Sequence, residues 1–277
     1  MKIGVIGTGN MGTIITESLI EGAVSIPENI YITNRTIEKT KELKKNYPSI
    51  NVLKDSQSIA AQSDILFICV KPLQIEPLLR SMNEHLTEDQ IIISITSPVT
   101  VTQLESIIKA KAARMIPSIT NRALSGTTLI TLGERCTEAD QQLILEIAGG
   151  ISTPIMIEEA TTRVASDLSS CGPAFMCFLL EKMIDAAVSV TDITKEQATA
   201  LATEMTIGFG RLLEKDYYTL ETLKEKVHVK GGVTGVGLKV LEDHTEGLFE
   251  KLFKATQDKF KEDHEYVDEQ FSEQVKE

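Results

Sequence analysis

The feature that most limits what this chain can fold into lies in its first dozen residues. The apolar run Ile3-Gly4-Val5-Ile6 leads directly into Gly7-Thr8-Gly9-Asn10-Met11-Gly12, and Met11, Ile14, Ile15 and Leu19 then recur at helical spacing. This is strand, glycine turn, helix, with the glycines in the order GxGxxG. Gly7 permits the tight turn, Gly9 lets the backbone approach a pyrophosphate, and Gly12 allows the helix to pack closely on the strand. The helix N-terminus adds free N–H groups and a positive dipole end for phosphates. Gly22 reads as the stop of that helix.

The rest of the first half repeats the theme. Short β-branched runs at 2–6, 29–33, 65–70, 90–95, 112–116, 128–132 and 154–157 alternate with polar or helical stretches, and several are apolar on both faces. Such strands lie between helices, and the alternation predicts an α/β fold with a parallel, doubly wound sheet. Past about Glu159 no strand pattern remains. The expected organisation is an NAD(P)-binding Rossmann domain over 1–159 and an all-α domain over 160–277. Residues 173–188 are apolar nearly all round, which predicts a buried helix. Thr194 and Gln197 form a capping box ahead of a helix running to Leu213. Phe249, Phe253, Phe260, Val267 and Phe271 recur at near-heptad intervals, a packing stripe for a core or partner-facing edge. A small helical domain with so much apolar surface is expected to pair with its copy in a homodimer.

The length of 277 residues suits one to two domains. Net charge is −12 (28 basic, 40 acidic), which disfavours nucleic acid and anionic membranes as partners. No apolar run approaches the roughly 20 residues that cross a bilayer. The opening apolar stretch is too short for a secretory signal, and Cys69, Cys136, Cys171 and Cys177 are scattered, so a cytoplasmic protein is expected. His85, His228, His244 and His264 lie far apart and suggest no metal site, and no Ser/His/Asp arrangement is visible. Cys171 reads either as a thiol activated beside a helix N-terminus or as a filler of a small space.

The end of the second strand selects the coenzyme. An acid there holds the ribose 2′-hydroxyl of NAD, whereas a nearby arginine accommodates the 2′-phosphate of NADP. This chain has Asn34-Arg35-Thr36, with no carboxylate before Glu38, so NADPH is favoured over NADH. Val70-Lys71-Pro72 follows another strand at the sheet edge where ligands of such folds sit; Pro72 also suits the first position of a helix.

These motifs, together with Arg114-Met115-Ile116-Pro117, Leu168-Ser169-Ser170-Cys171-Gly172-Pro173-Ala174-Phe175 and Lys230-Gly231-Gly232-Val233-Thr234, resemble those of the pyrroline-5-carboxylate reductases, which make proline. The likeness covers nearly the whole chain, and the chain resembles a divergent paralogue within that family, of the late-competence type. It implies a Rossmann domain, a helical dimerisation domain and NAD(P)H-dependent reduction of a cyclic imine. It also implies site roles: Thr234 beside the imine nitrogen, the amides of Gly231, Gly232 and Val233 around the substrate carboxylate, and Gly172-Pro173 shaping the pocket.

The departures fall on the substrate side. The family's MPNTP is Ile116-Pro117-Ser118-Ile119-Thr120, its LSGSGPAY is Leu168 to Phe175, the AG after its SI is Ser97-Pro98, and the serine and proline before its GG are Val229 and Lys230. Three expectations follow from that mixture: a reductase of pyrroline-5-carboxylate or a similar small cyclic imino acid, a catalytically impaired NADP(H)-binding paralogue with a regulatory role, or a reductase of another imine or ketone.

Overall fold

The computed structural model describes residues 1–273. The glycine-flanked run Ile3–Ile6 forms β1, fully buried, and Asn10–Glu21 forms α1. The chain continues as β2 (Ile30–Thr33), α2 (Thr40–Asn46), β3 (Asn51–Val52), α3 (Ser56–Ala60), β4 (Ile65–Ile68), α4 (Ile75–Met82), β5 (Ile91–Ser94), α5 (Val101–Ile107), β6 (Lys111–Ile116), β7 (Thr127–Leu132), α6 (Glu138–Ile151) and β8 (Thr153–Met156). Helices then take over: α7 (Thr162–Ser166), a π-turn over Asp167–Cys171, α8 (Gly172–Val190), α9 (Lys195–Glu214), α10 (Leu220–Val227), α11 (Val233–Thr245) and α12 (Leu248–Glu273).

The eight strands form one sheet in the order β3-β2-β1-β4-β5-β6-β7-β8. Rossmann-like order places β1 between β2 and β4, with Val5 opposite both Ile32 and Phe67. The sheet is mixed, which corrects the expectation of an all-parallel one: β7 runs antiparallel to β6, with Met115 opposite Ile130. Parallel crossovers need a dozen or more residues. Only residues 117–126 link β6 to β7, and they form a short 3₁₀ turn over Ile119–Ala123. The expectation also missed β3, a two-residue edge strand too short to show a period.

Both faces of the sheet are covered. On one, Val5, Ile32, Phe67 and Ile93 pack with Ile15 and Leu19 of α1 and Ile144 and Ile147 of α6. On the other, Leu66, Ile68 and Ile92 pack with Ile75 and Leu79 of α4, Leu104 of α5, and Val267 and Phe271 of α12. Gly22 stops α1 as its C-cap, its N–H donating to the Ser18 carbonyl at 2.8 Å, but without the left-handed conformation: its φ is −79°, and the left-handed residue is Ala23 at 56°. A Cβ at Gly22 would lie 2.1 Å from the carbonyl oxygen of Gly150, so the missing side chain is what lets α1 meet α6.

By compactness the chain divides into Met1–Pro173 together with the residues from Thr256 on, and a second unit over Ala174–Ala255. In the second unit the capping box appears as read, with Thr194 Oγ1 accepting from Gln197 N–H. The expected burial of residues 173–188 does not occur within one chain. No residue of α8 is buried; Met176, Phe178 and Met183 are exposed, as are Leu201 and Met205 of α9. Helices apolar on several sides exceed the cover that one chain's unit supplies.

Gly22→Ala should lower stability by about 1–3 kcal/mol, because the new methyl must push α1 off α6. In α6, Gly149 is a control with open space at its Cβ position. Gly149→Ala should raise stability by roughly 0.5–1 kcal/mol. Urea midpoints of the two variants test the pair.

Candidate functional site

The turn after β1 is built as the glycine spacing requires. Gly7 has φ +98°, and any Cβ there would meet the carbonyl oxygen of Cys69 at 2.5 Å. Its N–H donates to the Thr33 carbonyl at 2.9 Å, while Thr8 N–H donates to Asn34 Oδ1 at 3.1 Å. The same carboxamide donates through Nδ2 to the Thr36 carbonyl at 2.9 Å. Asn34 thus ties the loop after β1 to the loop after β2. Gly12 sits in the first turn of α1, where a Cβ would lie 1.9 Å from the Gly7 carbonyl oxygen. Gly9 differs: a Cβ there meets nothing within 4 Å, so its bare backbone faces open space. Thr8, only 4% exposed, carries a buried hydroxyl with no hydrogen-bond partner. An open glycine cradle, a helix N-terminus and an unpartnered hydroxyl together fit a dinucleotide's phosphates.

A cavity of about 650 Å³ opens from this loop across the carboxyl ends of β1, β2 and β4. Gly7, Gly9, Asn34, Arg35, Val70 and Lys71 line it, so residues separated by some sixty positions in sequence are brought together. Thr8, Gly9 and Asn10 line a neighbouring cavity of about 490 Å³. Met11 and Gly12 are inside α1, and Pro72 opens the 3₁₀ turn Pro72–Gln74, as its fixed φ allows. The larger cavity is also lined by Lys39 and Lys54, which sequence reading did not find. Lys54 follows the two-residue β3, where no strand was recognised to carry a loop. Arg35, Lys39, Lys54 and Lys71 against the single carboxylate Asp55 give this lining a formal +3, in a chain of −12. Asp55 is turned to its own backbone, accepting from Ser58 N–H at 2.9 Å as the cap of α3. Burial pushes the Cys69 thiol well above its ordinary value, so it lines the cavity as a neutral group.

Further along the sheet edge, Arg114 of β6 is 1% exposed and organises the neighbouring loops. Nη1 donates to the carbonyls of Ser97 (3.1 Å) and Val99 (3.4 Å). Nη2 donates to Thr162 Oγ1 at 2.6 Å, to Thr131 Oγ1 at 3.3 Å and to the Glu159 carboxylate. Two departures from the family motifs prove to be partners of each other's loops. Ser118 Oγ donates to the Ser169 carbonyl at 2.9 Å, and Ser170 Oγ donates to the Pro117 carbonyl at 2.8 Å. The π-turn that carries Ser169 and Ser170 is held by Asp167, whose carboxylate meets Arg163 Nη2 at 3.0 Å and accepts from Thr256 Oγ1 at 2.7 Å. Burial raises the Cys171 thiol despite Arg163 beside it, which supports a space-filling thiol over an activated one. Gly172 and Pro173 open α8, both half-buried.

The remaining predicted residues belong to the second unit. Gly231 takes φ +79°, and Gly232 caps α11 while its N–H donates to the Val229 carbonyl at 2.8 Å. Val233 and Thr234 form the first turn of α11, Val233 exposed and Thr234 half-buried. His228 packs its ring on Gly235, where a Cβ would lie 2.6 Å from Nε2. His228, Gly231, Gly232 and Lys239 line a shallow cavity of about 520 Å³. Among the described residues no group of three or more His, Cys, Asp or Glu side chains could hold a metal ion. Among them also, no helix is long and apolar enough to cross a membrane.

The sequence model described as pyrroline-5-carboxylate reductase dimerisation matches residues 159–263, and the one described as NADP oxidoreductase coenzyme F420-dependent matches 2–98. ComE operon protein 4 of Bacillus subtilis (strain 168) is 51% identical over 98% of this chain and 99% of its own length. Pyrroline-5-carboxylate reductase 3 of the same organism is 28% identical over 94% of this chain and 95% of its own. The chain belongs to the pyrroline-5-carboxylate reductase family. It is a divergent paralogue in it, of NADP-dependent oxidoreductase type. The fold agrees with the NADP-bound crystal structure of the Plasmodium falciparum pyrroline carboxylate reductase, at TM-score 0.79 and 22% identity, covering 98% of both chains.

The two glycines of the loop should separate when substituted. Gly12→Ala should destabilise the fold by about 2 kcal/mol or more, since backbone must move to admit the methyl. Gly9→Ala should leave the melting temperature nearly unchanged yet weaken coenzyme binding at least tenfold, read by calorimetric titration beside thermal unfolding.

Proposed function

We propose that the chain is an NADPH-dependent reductase of pyrroline-5-carboxylate or a similar small cyclic imino acid. The observation that carries this reading is the cation-lined cavity at the glycine loop, in a chain that also retains Gly231, Gly232 and Thr234. Amides of the loop and the α1 N-terminus hold the diphosphate, with the Thr8 hydroxyl as a further donor. Arg35, Lys39 and Lys54 hold the extra phosphate that distinguishes NADPH from NADH, with the guanidinium able to fork onto it. When bound, the coenzyme supplies the hydride that reduces the C=N carbon. Thr234, whose hydroxyl makes no hydrogen bond among the described residues, donates to the imine nitrogen and relays the proton that the product amine requires. The amides of Gly231, Gly232 and Val233 hold the substrate carboxylate as a backbone nest, which needs no lysine or arginine. Gly172 and Pro173 give the pocket a rigid helix entry.

A second reading is an NADP(H)-binding paralogue with a regulatory role and little catalysis, of the competence or sporulation type. The specific observation behind it is Val229, an apolar side chain where the family has a serine donor beside the carboxylate nest; a lost donor there costs about 1–3 kcal/mol. A reductase of a different imine or ketone fits the same change.

Oxidation of NADPH followed at 340 nm with pyrroline-5-carboxylate separates these readings. Thr234→Ala should lower kcat roughly 100-fold or more, and Val229→Ser should raise kcat/KM roughly fivefold or more. Arg35→Ala should narrow the preference for NADPH over NADH. Tight NADPH binding with no turnover in any variant favours the regulatory reading.

The same assignment extends to assembly. The exposed apolar side chains of α8 and α9 are proposed to be covered by a second copy, in a homodimer or higher homo-oligomer. Light scattering at micromolar concentration should give at least twice the 30.5 kDa chain mass; a compact monomer would refute it.

A further inference from the structure

The last turns of α12 lie beyond residue 263, where the family match ends, yet they contain the most deeply buried side chains of that helix. Val267 is 0% exposed and Phe271 7%, and both pack with Ile68, Ile75 and Leu79, the residues that flank the coenzyme-cavity loop after β4. Asp268 accepts from Gln103 Nε2 at 2.7 Å, fixing the rotation of the helix on α5. Between them, Gln270 Nε2 donates to the carbonyl of Leu73 at 3.1 Å. A carbonyl partner admits only the amide nitrogen, so the side-chain orientation is determined. Leu73 and Gln74, with Val70, Lys71, Pro77 and Leu78, form one wall of the coenzyme cavity.

We propose that Gln270 is a positioning residue for coenzyme binding: its bond to the Leu73 carbonyl holds residues 70–78 in the conformation that receives a pyridine nucleotide. The proposal rests on reading this cavity as the NADPH site. The buried pair Val267 and Phe271 seats the helix end, and Gln270 is the polar group through which that seat reaches the loop. The loop's own brace is a short turn, with Gln74 N–H donating to the Lys71 carbonyl at 2.9 Å and Ile75 N–H to the Pro72 carbonyl, and Gln270 adds a side-chain tie to it from outside. The ligand side of the wall is untouched by Gln270 itself, which therefore acts through Leu73.

The test compares Gln270→Met, which keeps length and removes the donor, with Gln270→Lys, which restores a donor of similar reach. All titrations use the full chain at an ionic strength of about 0.5 M, where added exposed charge is screened. Gln270→Met should raise the NADPH Kd roughly three- to tenfold, in proportion to one lost hydrogen bond. It should also speed amide hydrogen exchange of residues 73–78 in the coenzyme-free protein, with the melting temperature unchanged within about 2 °C. Gln270→Lys should return both the Kd and the exchange to near wild type. Wild-type affinity and exchange in Gln270→Met would overturn the proposal, as would a weakened affinity that Gln270→Lys fails to rescue or that tracks a fall in melting temperature. A wild-type chain that binds neither NADPH nor NADH overturns the coenzyme reading itself, while normal wild-type binding with an unaffected Gln270→Met overturns this proposal alone.

Discussion

The fold depends on one close approach, that of α1 to the turn after β1. With Gly7 in the left-handed region and no side chain at Gly12, the helix begins almost against the Gly7 carbonyl. That places the α1 N-terminus at the end of the central strand and aims its free amides over the sheet edge. The neighbours then lock in: Gly7 N–H on Thr33, Thr8 N–H on Asn34, and Cys69 N–H on Ile6 at 2.8 Å. Three loops from β1, β2 and β4 are set by these bonds, and the cavity between them is their consequence. A larger residue at position 12 moves the helix and with it every wall of that cavity.

Charge is distributed to the same end. A net −12 would repel a phosphorylated ligand at long range, and screening limits that repulsion to about 8 Å at physiological salt. Inside that distance the four cations of the cavity dominate. An acidic chain can hold a polyanionic coenzyme in one place and still reject polyanions elsewhere on its surface, which is the selectivity that a small-molecule reductase needs.

Much of this was legible in the sequence, and the gaps have physical causes. Strands buried on both faces announce themselves as unbroken β-branched runs, so β1, β4 and β5 were plain. β3 was not, because two residues at an edge carry no period. The antiparallel turn of β7 is a matter of linker length rather than of strand residues, and a pattern of strands alone does not report direction. Gly22 was legible as the stop of α1; its close approach to Gly150, more than a hundred residues away, was not. Lys39 and Lys54 were missed for the same reason, since surface lysines become a site only when folding gathers them around a cavity. The apolar surface of α8 was legible as exceeding what one chain can cover, and within one chain none of its residues is buried.

Two of the altered motifs are fastened to each other. Pro173 has no N–H to offer the carbonyl four residues back, that of Ser169, and this carbonyl accepts instead from Ser118, one of the residues at which the chain departs from its family. Ser170, another departure, answers with its own bond to Pro117. Two changes some fifty residues apart therefore form one reciprocal staple, and Arg114 anchors the adjoining Ser97–Val99 turn and α7 from below. A buried polar group left unpaired costs about 1–3 kcal/mol. Ser118 and Ser170 are both satisfied, and each satisfies the backbone of the other's loop, whereas the hydroxyl of Thr120, a third departure in the same motif, is buried without a hydrogen-bond partner. Hydroxyls spent on that staple are not offered to a ligand.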